Sequence, residues 1–240
     1  MPVELREAIV IAAGAGSRLR PLTDRWPKPV LPIDGRPVIG TLLRELAAAE
    51  LTAVTVVVGH LGAQVRALVG DGSAFGVSVG YAEQPEPLGS ADAVRRAVAA
   101  GAGPPFAVSA ADTVYRPGAI AAAAEEWTRS GAPAGIGVRA VPREELGQRT
   151  GVRVVDGRLV ALGEAGEERL AAAPLWFLGP SAVARLADVP GPPYELRAAL
   201  DAALESGDEV AALPVGPTRD ITRPADVVAA NFPYLERRGS

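Results

Sequence analysis

The sequence has no cysteine. Disulfides, thiolate zinc sites and cysteine nucleophiles are therefore all excluded. Its only histidine is His60, so multi-histidine metal centres are impossible and a Ser-His-Asp triad would have to run through that residue. Aromatic residues make up 5% of the 240 residues and hydrophobic residues 48%, so the core must be built mainly from Ala, Val and Leu. No apolar run reaches membrane-spanning length without charge, Gly or Pro, and the run near the start is too short for a signal-peptide core. There is no basic block and the net charge is −4, which argues against a nucleic-acid partner. The expectation is a soluble, cytoplasmic protein with no membrane partner. Lysine is nearly absent too: of 24 basic residues only Lys28 is a lysine. A general preference for arginine explains the composition. It also singles out Lys28, where a compact ammonium stands in place of a planar guanidinium. Carboxylate, lysine, arginine and backbone chemistry remain, and these suit phosphate and a hard cation.

The first half alternates strands and helices. Ala8–Ala13 reads as a buried strand that runs into Gly14. A loop rich in Gly, Pro and charge comes next over Gly14–Asp34, then a helix over Pro37–Glu50. Val54–Val58, Val77–Tyr81 and Phe106–Ala110 read as further strands. Ala63–Val69 and Ser90–Ala100 read as helices, with Ser90 as N-cap. This alternation predicts an α/β fold with a Rossmann-like, mostly parallel sheet flanked by helices, which binds ligands at the carboxyl ends of its strands. Gly14 and Asp112 both fall just past such ends. In the second half Ala134–Ala140, Val152–Val155, Leu159–Leu162, Leu175–Leu178 and Glu209–Leu213 read as strands, with Asp156-Gly157 as a hairpin turn. Tyr194–Leu204 and Pro224–Asn231 read as helices. One domain over 1–240 is expected, in two halves of roughly 1–133 and 134–240, the second forming a small lobe.

Two loops carry the chemistry. Ala13-Gly14-Ala15-Gly16-Ser17-Arg18-Leu19 comes directly after the first strand, but Leu19 stands where a dinucleotide fingerprint needs a third glycine, and no Walker lysine is present. What remains is a backbone cradle in which glycines admit phosphate oxygens close to the amides, with the Arg18 fork beside them. In Pro27-Lys28-Pro29 the prolines restrict the loop and hold Lys28 in one direction. His60 and the tryptophans Trp26, Trp127 and Trp176 read as structural.

Together, G-x-G-S-R-L-R-P-L-T and then P-K-P-V-L-P resemble the signature of the sugar-1-phosphate nucleotidylyltransferases, or nucleotide-sugar pyrophosphorylases. Tyr81-Ala-Glu-Gln84-Pro-Glu-Pro-Leu-Gly89 is similar to that family's base-reading segment. Ala110-Ala111-Asp112-Thr113 resembles its G-D-T/N stretch, and Asp220-Ile-Thr-Arg-Pro-Ala-Asp226 with Ala230-Asn231 its closing motif. The resemblance implies a nucleotide-diphospho-sugar transferase fold and the transfer of NMP from an NTP to a sugar 1-phosphate, releasing pyrophosphate. It implies that Ala13, Gly14, Gly16, Ser17, Gln84 and Gly89 bind the nucleotide, that Arg18 and Lys28 act on its phosphates, and that Asp112 and Asp220 hold Mg²⁺. The acceptor would meet Gly151, Glu164, Arg219 and Arg223. Two departures bear on the acceptor. Leu162-Gly163-Glu164-Ala165-Gly166 has the glutamate but not the lysine of the family's Glu-Lys-Pro, and Thr222-Arg223 replaces Gly-Thr. They leave two alternatives: a cytidylyltransferase for a phosphocholine-like or phosphonate acceptor, or a silent regulatory relative. A stand-alone form without a β-helix domain is expected, and a homo-oligomer is compatible with the sequence.

Overall fold

The computed structural model describes residues 4–164, 166 and 168–238. The principal strands are β1 (Glu7–Ala12), β2 (Ala53–Val58), β3 (Ser78–Glu83), β4 (Phe106–Ala110), β5 (Ala134–Ala140), β6 (Gly151–Val155), β7 (Arg158–Leu162), β8 (Leu170–Leu178) and β9 (Val210–Pro214). The helices are α1 (Val38–Ala48), α2 (Gly62–Val69), α3 (Ser90–Ala99), α4 (Ala119–Ser130), α5 (Pro180–Arg185), α6 (Leu196–Glu205) and α7 (Pro224–Arg238).

All nine strands form one sheet in the order β3-β2-β1-β4-β8-β5-β9-β7-β6. The expected parallel arrangement holds across β3-β2-β1-β4. Beyond it the sheet is mixed, because β8 runs antiparallel to both β4 and β5, while β9 is parallel to β5. The central strands are apolar, β-branched in β1 and β2 and rich in alanine and aromatic residues in β4 and β8, and residues on both faces are buried, as layers of helix on each side require. Ala8, Val10 and Ala12 of β1 join a core with Leu42, Leu46, Val65 and Ile120. Ile9 faces the opposite core with Ala93, Val94 and Leu200. As the composition implied, these cores are largely aliphatic. Trp127, stacked on Phe177 at a centroid distance of 5.5 Å, is an aromatic exception.

Strand β8 departs from regular pairing where it passes the centre of the sheet. It begins five residues before the expected Leu175, and its register against β5 shifts between Ala172 and Trp176. Pro174 lies in that shift and has no N–H to give the ladder. Instead its carbonyl accepts a hydrogen bond from the buried Tyr115 hydroxyl at 2.9 Å. Burial pushes the Tyr115 phenol far above its ordinary value, so it stays neutral and remains a donor.

A third, smaller core fixes the glycine- and proline-rich loop. It gathers Leu19, Leu31 and Ile33 from the loop, Val38 from α1, Val114, and Ile221 from near the C-terminus. Asn231 of α7 fastens the same region: its side-chain amide donates to the Pro32 carbonyl at 2.8 Å, and its oxygen accepts the Gly35 N–H at 2.9 Å. Among the described residues, no helix is long and apolar enough to cross a membrane.

Two sequence expectations need correction. Ser90 is the first residue of α3 rather than its cap; Gly89 occupies the cap position, and the Ser90 hydroxyl bonds Glu195 and the Leu196 N–H instead. Trp26 does not pack: it is 48% exposed. Trp176 packs against the second core as expected and also lines a cavity.

Candidate active site

A cavity of about 620 Å³ opens at the carboxyl ends of β1 and β4. Its first wall is the loop after β1. Gly16 adopts a left-handed conformation (φ 61°), and a Cβ there would lie 2.8 Å from the Thr23 methyl, so only glycine fits without displacement. The turn is held by the Leu19 N–H on the Gly16 carbonyl at 2.9 Å and the Thr23 hydroxyl on the same oxygen at 2.9 Å. A Cβ at Gly14 would meet nothing within 4 Å. That open space at the cavity wall is what a backbone cradle for an anion needs. Ser17 and Arg18 line the cavity beside it. His60 serves this scaffold, its Nε2 lying 2.9 Å from the Thr23 carbonyl oxygen.

Lys28 begins a short 3₁₀ turn between its prolines, closed by the Leu31 N–H on the Lys28 carbonyl at 3.1 Å. Its ammonium forms an ion pair with Asp112, and both side chains are largely buried. A two-residue antiparallel pairing sets Asp220 opposite Thr113. It thus delivers the second aspartate beside Asp112 from more than a hundred residues away. Asp220 is matched by two arginines: Arg139 Nη1 lies 3.5 Å from its Oδ1 and Arg149 Nη1 lies 3.3 Å from its Oδ2. The cavity is therefore lined by Arg18, Lys28, Arg139 and Arg149 against Asp112 and Asp220, a set of charges suited to an anionic ligand.

The structure brings Gly14, Gly16, Ser17, Arg18, Lys28, Asp112 and Asp220 to this one cavity. The other sequence-predicted site residues do not line it. Ala13 is buried behind the loop, where its carbonyl accepts the His60 N–H at 3.4 Å. Gln84 is buried, and its amide donates to the Gly89 carbonyl at 2.9 Å and the Asp92 carboxylate at 2.8 Å. It thereby braces the 85–89 segment. Gly151 is buried and pairs in register with Ala171. Glu164 is exposed, and Ala165 lies outside the described residues. Arg219 pairs with Asp34 at 2.5 Å, and exposed Arg223 has its backbone N–H capped by Asp226 at 2.7 Å. Neither of these two arginines lines the cavity: the pairing with Thr113 and Val114 sets Asp220 at its wall, while its neighbour Arg219 is held by Asp34.

Sequence reasoning missed Arg139, Arg149, Thr150, Trp176 and Thr222, all of which line the cavity. A signal existed for Arg139. It is the lone charge in β5, AGIGVRA, whose other residues are apolar or Gly, and an unexplained charge in a buried strand asks for a partner. Arg149 comes just after a short 3₁₀ turn of charged and polar residues and carried no comparable signal.

The residues present fit a hard divalent cation. Asp112 and Asp220 offer only oxygen donors, and no group of three or more His, Cys, Asp or Glu gathers among the described residues. Such a pair suits Mg²⁺, which takes one or two carboxylates and completes its shell with water and substrate oxygens.

Comparison with known proteins gives the chain a family and a fold. A family model described as nucleotidyl transferase matches residues 7–161, and the chain belongs to that family. Over 240 residues it is 30% identical to the low-salt glycan biosynthesis nucleotidyltransferase Agl11 of Haloferax volcanii, covering 96% of this chain and 66% of that one. It is 40% identical over 111 residues to N-acetylmuramate alpha-1-phosphate uridylyltransferase of Neisseria meningitidis serogroup B, a match covering 45% of this chain and 47% of the relative. The chain thus spans about half to two thirds of these relatives. The fold is that of a UDP-glucose pyrophosphorylase solved with UDP-glucose, at a TM-score of 0.82 and 19% identity, covering 98% of this chain and 100% of the other.

Proposed function

We propose that the protein transfers a nucleoside monophosphate from an NTP to a sugar 1-phosphate, giving an NDP-sugar and pyrophosphate. The observation that carries this is one cavity joining the glycine loop, Arg18 and Lys28 to the paired aspartates Asp112 and Asp220. A phosphate oxygen of the acceptor attacks the α-phosphorus. The new P–O bond forms as the bond to the β-phosphate breaks, and pyrophosphate leaves with that electron pair. The acceptor oxygen is already ionised, so no general base is required. Both reactants are anions, so the protein's contribution is alignment and charge neutralisation.

Each role has a basis in the geometry. Backbone around Gly14 and Gly16 receives the triphosphate, and Arg18 neutralises its outer phosphates. Lys28, held by its prolines, serves the α-phosphate as charge moves onto the leaving oxygen. Asp112 and Asp220 would hold Mg²⁺, which neutralises phosphate charge when bound. Gln84 and Gly89 act through the 85–89 segment that they shape, which we assign to the base. Residues 1–133 then serve the nucleotide and 134–240 the acceptor. An NTP donor implies a cytoplasmic reaction. The relatives' printed names, a uridylyltransferase of N-acetylmuramate 1-phosphate and a glycan-biosynthesis nucleotidyltransferase, support a sugar acceptor over a phosphocholine-like one. So do the three arginines of the cavity wall, which disfavour a cationic acceptor. The test is a pyrophosphate-release screen of all four NTPs against hexose 1-phosphates, N-acetylhexosamine 1-phosphates and phosphocholine with Mg²⁺. Turnover with a sugar 1-phosphate is expected, and turnover with phosphocholine alone would refute the reading.

A further inference from the structure

We propose that Arg139 and Arg149 form the binding clamp for the acceptor's phosphate, taking the place of the lysine missing after Glu164. The inference rests on the transferase reading above and deepens it by naming which residues choose a phosphate monoester.

Arg139 is 6% exposed, and a guanidinium is costly to bury unless its charge is used or matched. Arg139 and Arg149 address the two oxygens of one carboxylate, Asp220, at 3.5 and 3.3 Å. Both also line the cavity, so two guanidinium forks converge on a single point of its wall. Lys28 is paired separately with Asp112. The two forks belong to the second half of the chain, whereas the glycine loop and Arg18 belong to the first. The cavity thus has one set of phosphate-binding groups from each half, as a reaction between two phosphates requires.

Space for a ligand lies beside the forks. Arg139 is in register with Ala171 of β8, and the next residues, Ala172, Ala173 and Pro174, line the cavity. Nothing longer than a methyl group or a proline ring projects from that stretch. The register shift in β8 falls at the same residues, and the Tyr115 hydroxyl pins the Pro174 carbonyl. Two planar donor forks thus face a recess floored by small side chains. This arrangement suits a tetrahedral dianion with several acceptor oxygens and offers little to a neutral or cationic group. Arg219 and Arg223 cannot supply this charge, since neither lines the cavity.

The test measures binding apart from turnover. Glucose 1-phosphate and inorganic phosphate are titrated calorimetrically into the whole chain saturated with a non-hydrolysable UTP analogue and Mg²⁺. Arg149 is part-exposed, so Arg149→Ala is the variant chosen to keep the fold. Losing one charge-assisted fork should weaken both probes about 10- to 100-fold while affinity for the UTP analogue changes less than about 3-fold. Arg139→Lys keeps the buried charge but not the fork, and should weaken the probes without lowering Tm. Arg158→Ala, at an exposed arginine paired with Glu209, controls for the loss of one surface charge and should bind like wild type. Unchanged probe binding in Arg149→Ala, or no probe binding by the wild-type chain, overturns the clamp. An equal loss of probe and UTP analogue overturns it too. The transferase reading fails separately, if the wild-type chain binds sugar phosphate but never releases pyrophosphate.

Discussion

Replacing Gly89 by alanine should be far more damaging than an ordinary glycine-to-alanine change, and the structure gives the size of the effect. Gly89 has φ 102°, and a Cβ there would lie 2.3 Å from the Tyr194 carbonyl oxygen, where ordinary contact begins at 3.4 Å. The two backbones would have to part by about 1 Å. They are held together by the Tyr194 N–H on the Leu88 carbonyl at 2.7 Å and the Ala91 N–H on the Tyr194 carbonyl at 2.8 Å. The conformation alone costs an L-residue about 1–3 kcal/mol, and losing two backbone hydrogen bonds adds about 1–3 kcal/mol. For a chain of this length each kcal/mol lowers Tm by about 2–4 °C, so Gly89→Ala should melt at least about 4 °C below wild type. Gly101→Ala is the internal comparison. Its φ is 113°, but a Cβ there meets nothing within 4 Å, so it carries the strain without the collision. Thermal unfolding of both variants, monitored by circular dichroism, checks the reasoning. If Gly89→Ala melts within about 1 °C of Gly101→Ala, the junction between 88–91 and 194–196 is not the constraint described.

Lys28→Arg should lose turnover about as severely as Lys28→Ala, because a planar fork cannot replace a point charge at a crowded phosphorus; near wild-type kcat in steady-state kinetics would remove Lys28 from the proposed mechanism. Asp112→Asn and Asp220→Asn should each cost about 100-fold or more in kcat, with Asp220→Asn also lowering Tm because it removes a charged partner of the buried Arg139, and EDTA should abolish wild-type activity; full activity in EDTA would refute the two-aspartate site. Burial pushes the Asp92 carboxyl up, but hydrogen bonds from Gln84 and Arg96, with the charges of Arg96 and Arg95, outweigh it and hold the group below its ordinary value. Its stabilising contribution is therefore present above the unfolded carboxylate value and is lost as pH falls through the lower, folded one. Asp92→Asn should melt below wild type at pH 7, with the gap closing below about pH 4; a constant gap in melting scans across that range would show that the carboxylate charge is not responsible.

Legibility in the sequence depended on chemical contrast. β1, β2 and β4 were readable because short apolar runs ended at Gly or Asp, and the ends of β1 and β4 frame the cavity. Helix α4, AIAAAAEEWTRS, was not, because alanine is equally at home on both faces and blurs the period. The antiparallel course of β8 was invisible as well. Its alternation of Ala, Pro, Leu and Trp records burial but not direction, which is set by pairing with β4 and β5. The part of the cavity wall formed by the glycines and Lys28 was legible from local spacing, since these residues lie within one loop. Arg139 and Arg149 were not, because they meet Asp220 only through contacts between distant segments. Arg219 is next to Asp220 in sequence yet does not line the cavity, since successive residues of a strand point to opposite faces.

The ion pairs of the cavity explain how a site assembled from such distant segments keeps its shape. Lys28 comes from the glycine-rich loop, Asp112 from the end of β4, Arg139 from β5, Arg149 from the stretch before β6, and Asp220 from beyond β9. Each contact among them bridges elements that share no local hydrogen bonding, so these pairs position the walls against one another. A polar group in a largely buried recess must be matched, and here the matching partners are themselves groups that phosphate or a hard cation can engage. Under the proposed function, arriving phosphates would replace carboxylates as partners for cations already placed at the cavity wall, which is the condition under which electrostatic stabilisation needs least rearrangement. The same logic accounts for the single lysine. At Asp220 two forks can share one carboxylate, whereas at Asp112 a compact charge on a proline-flanked turn meets one oxygen.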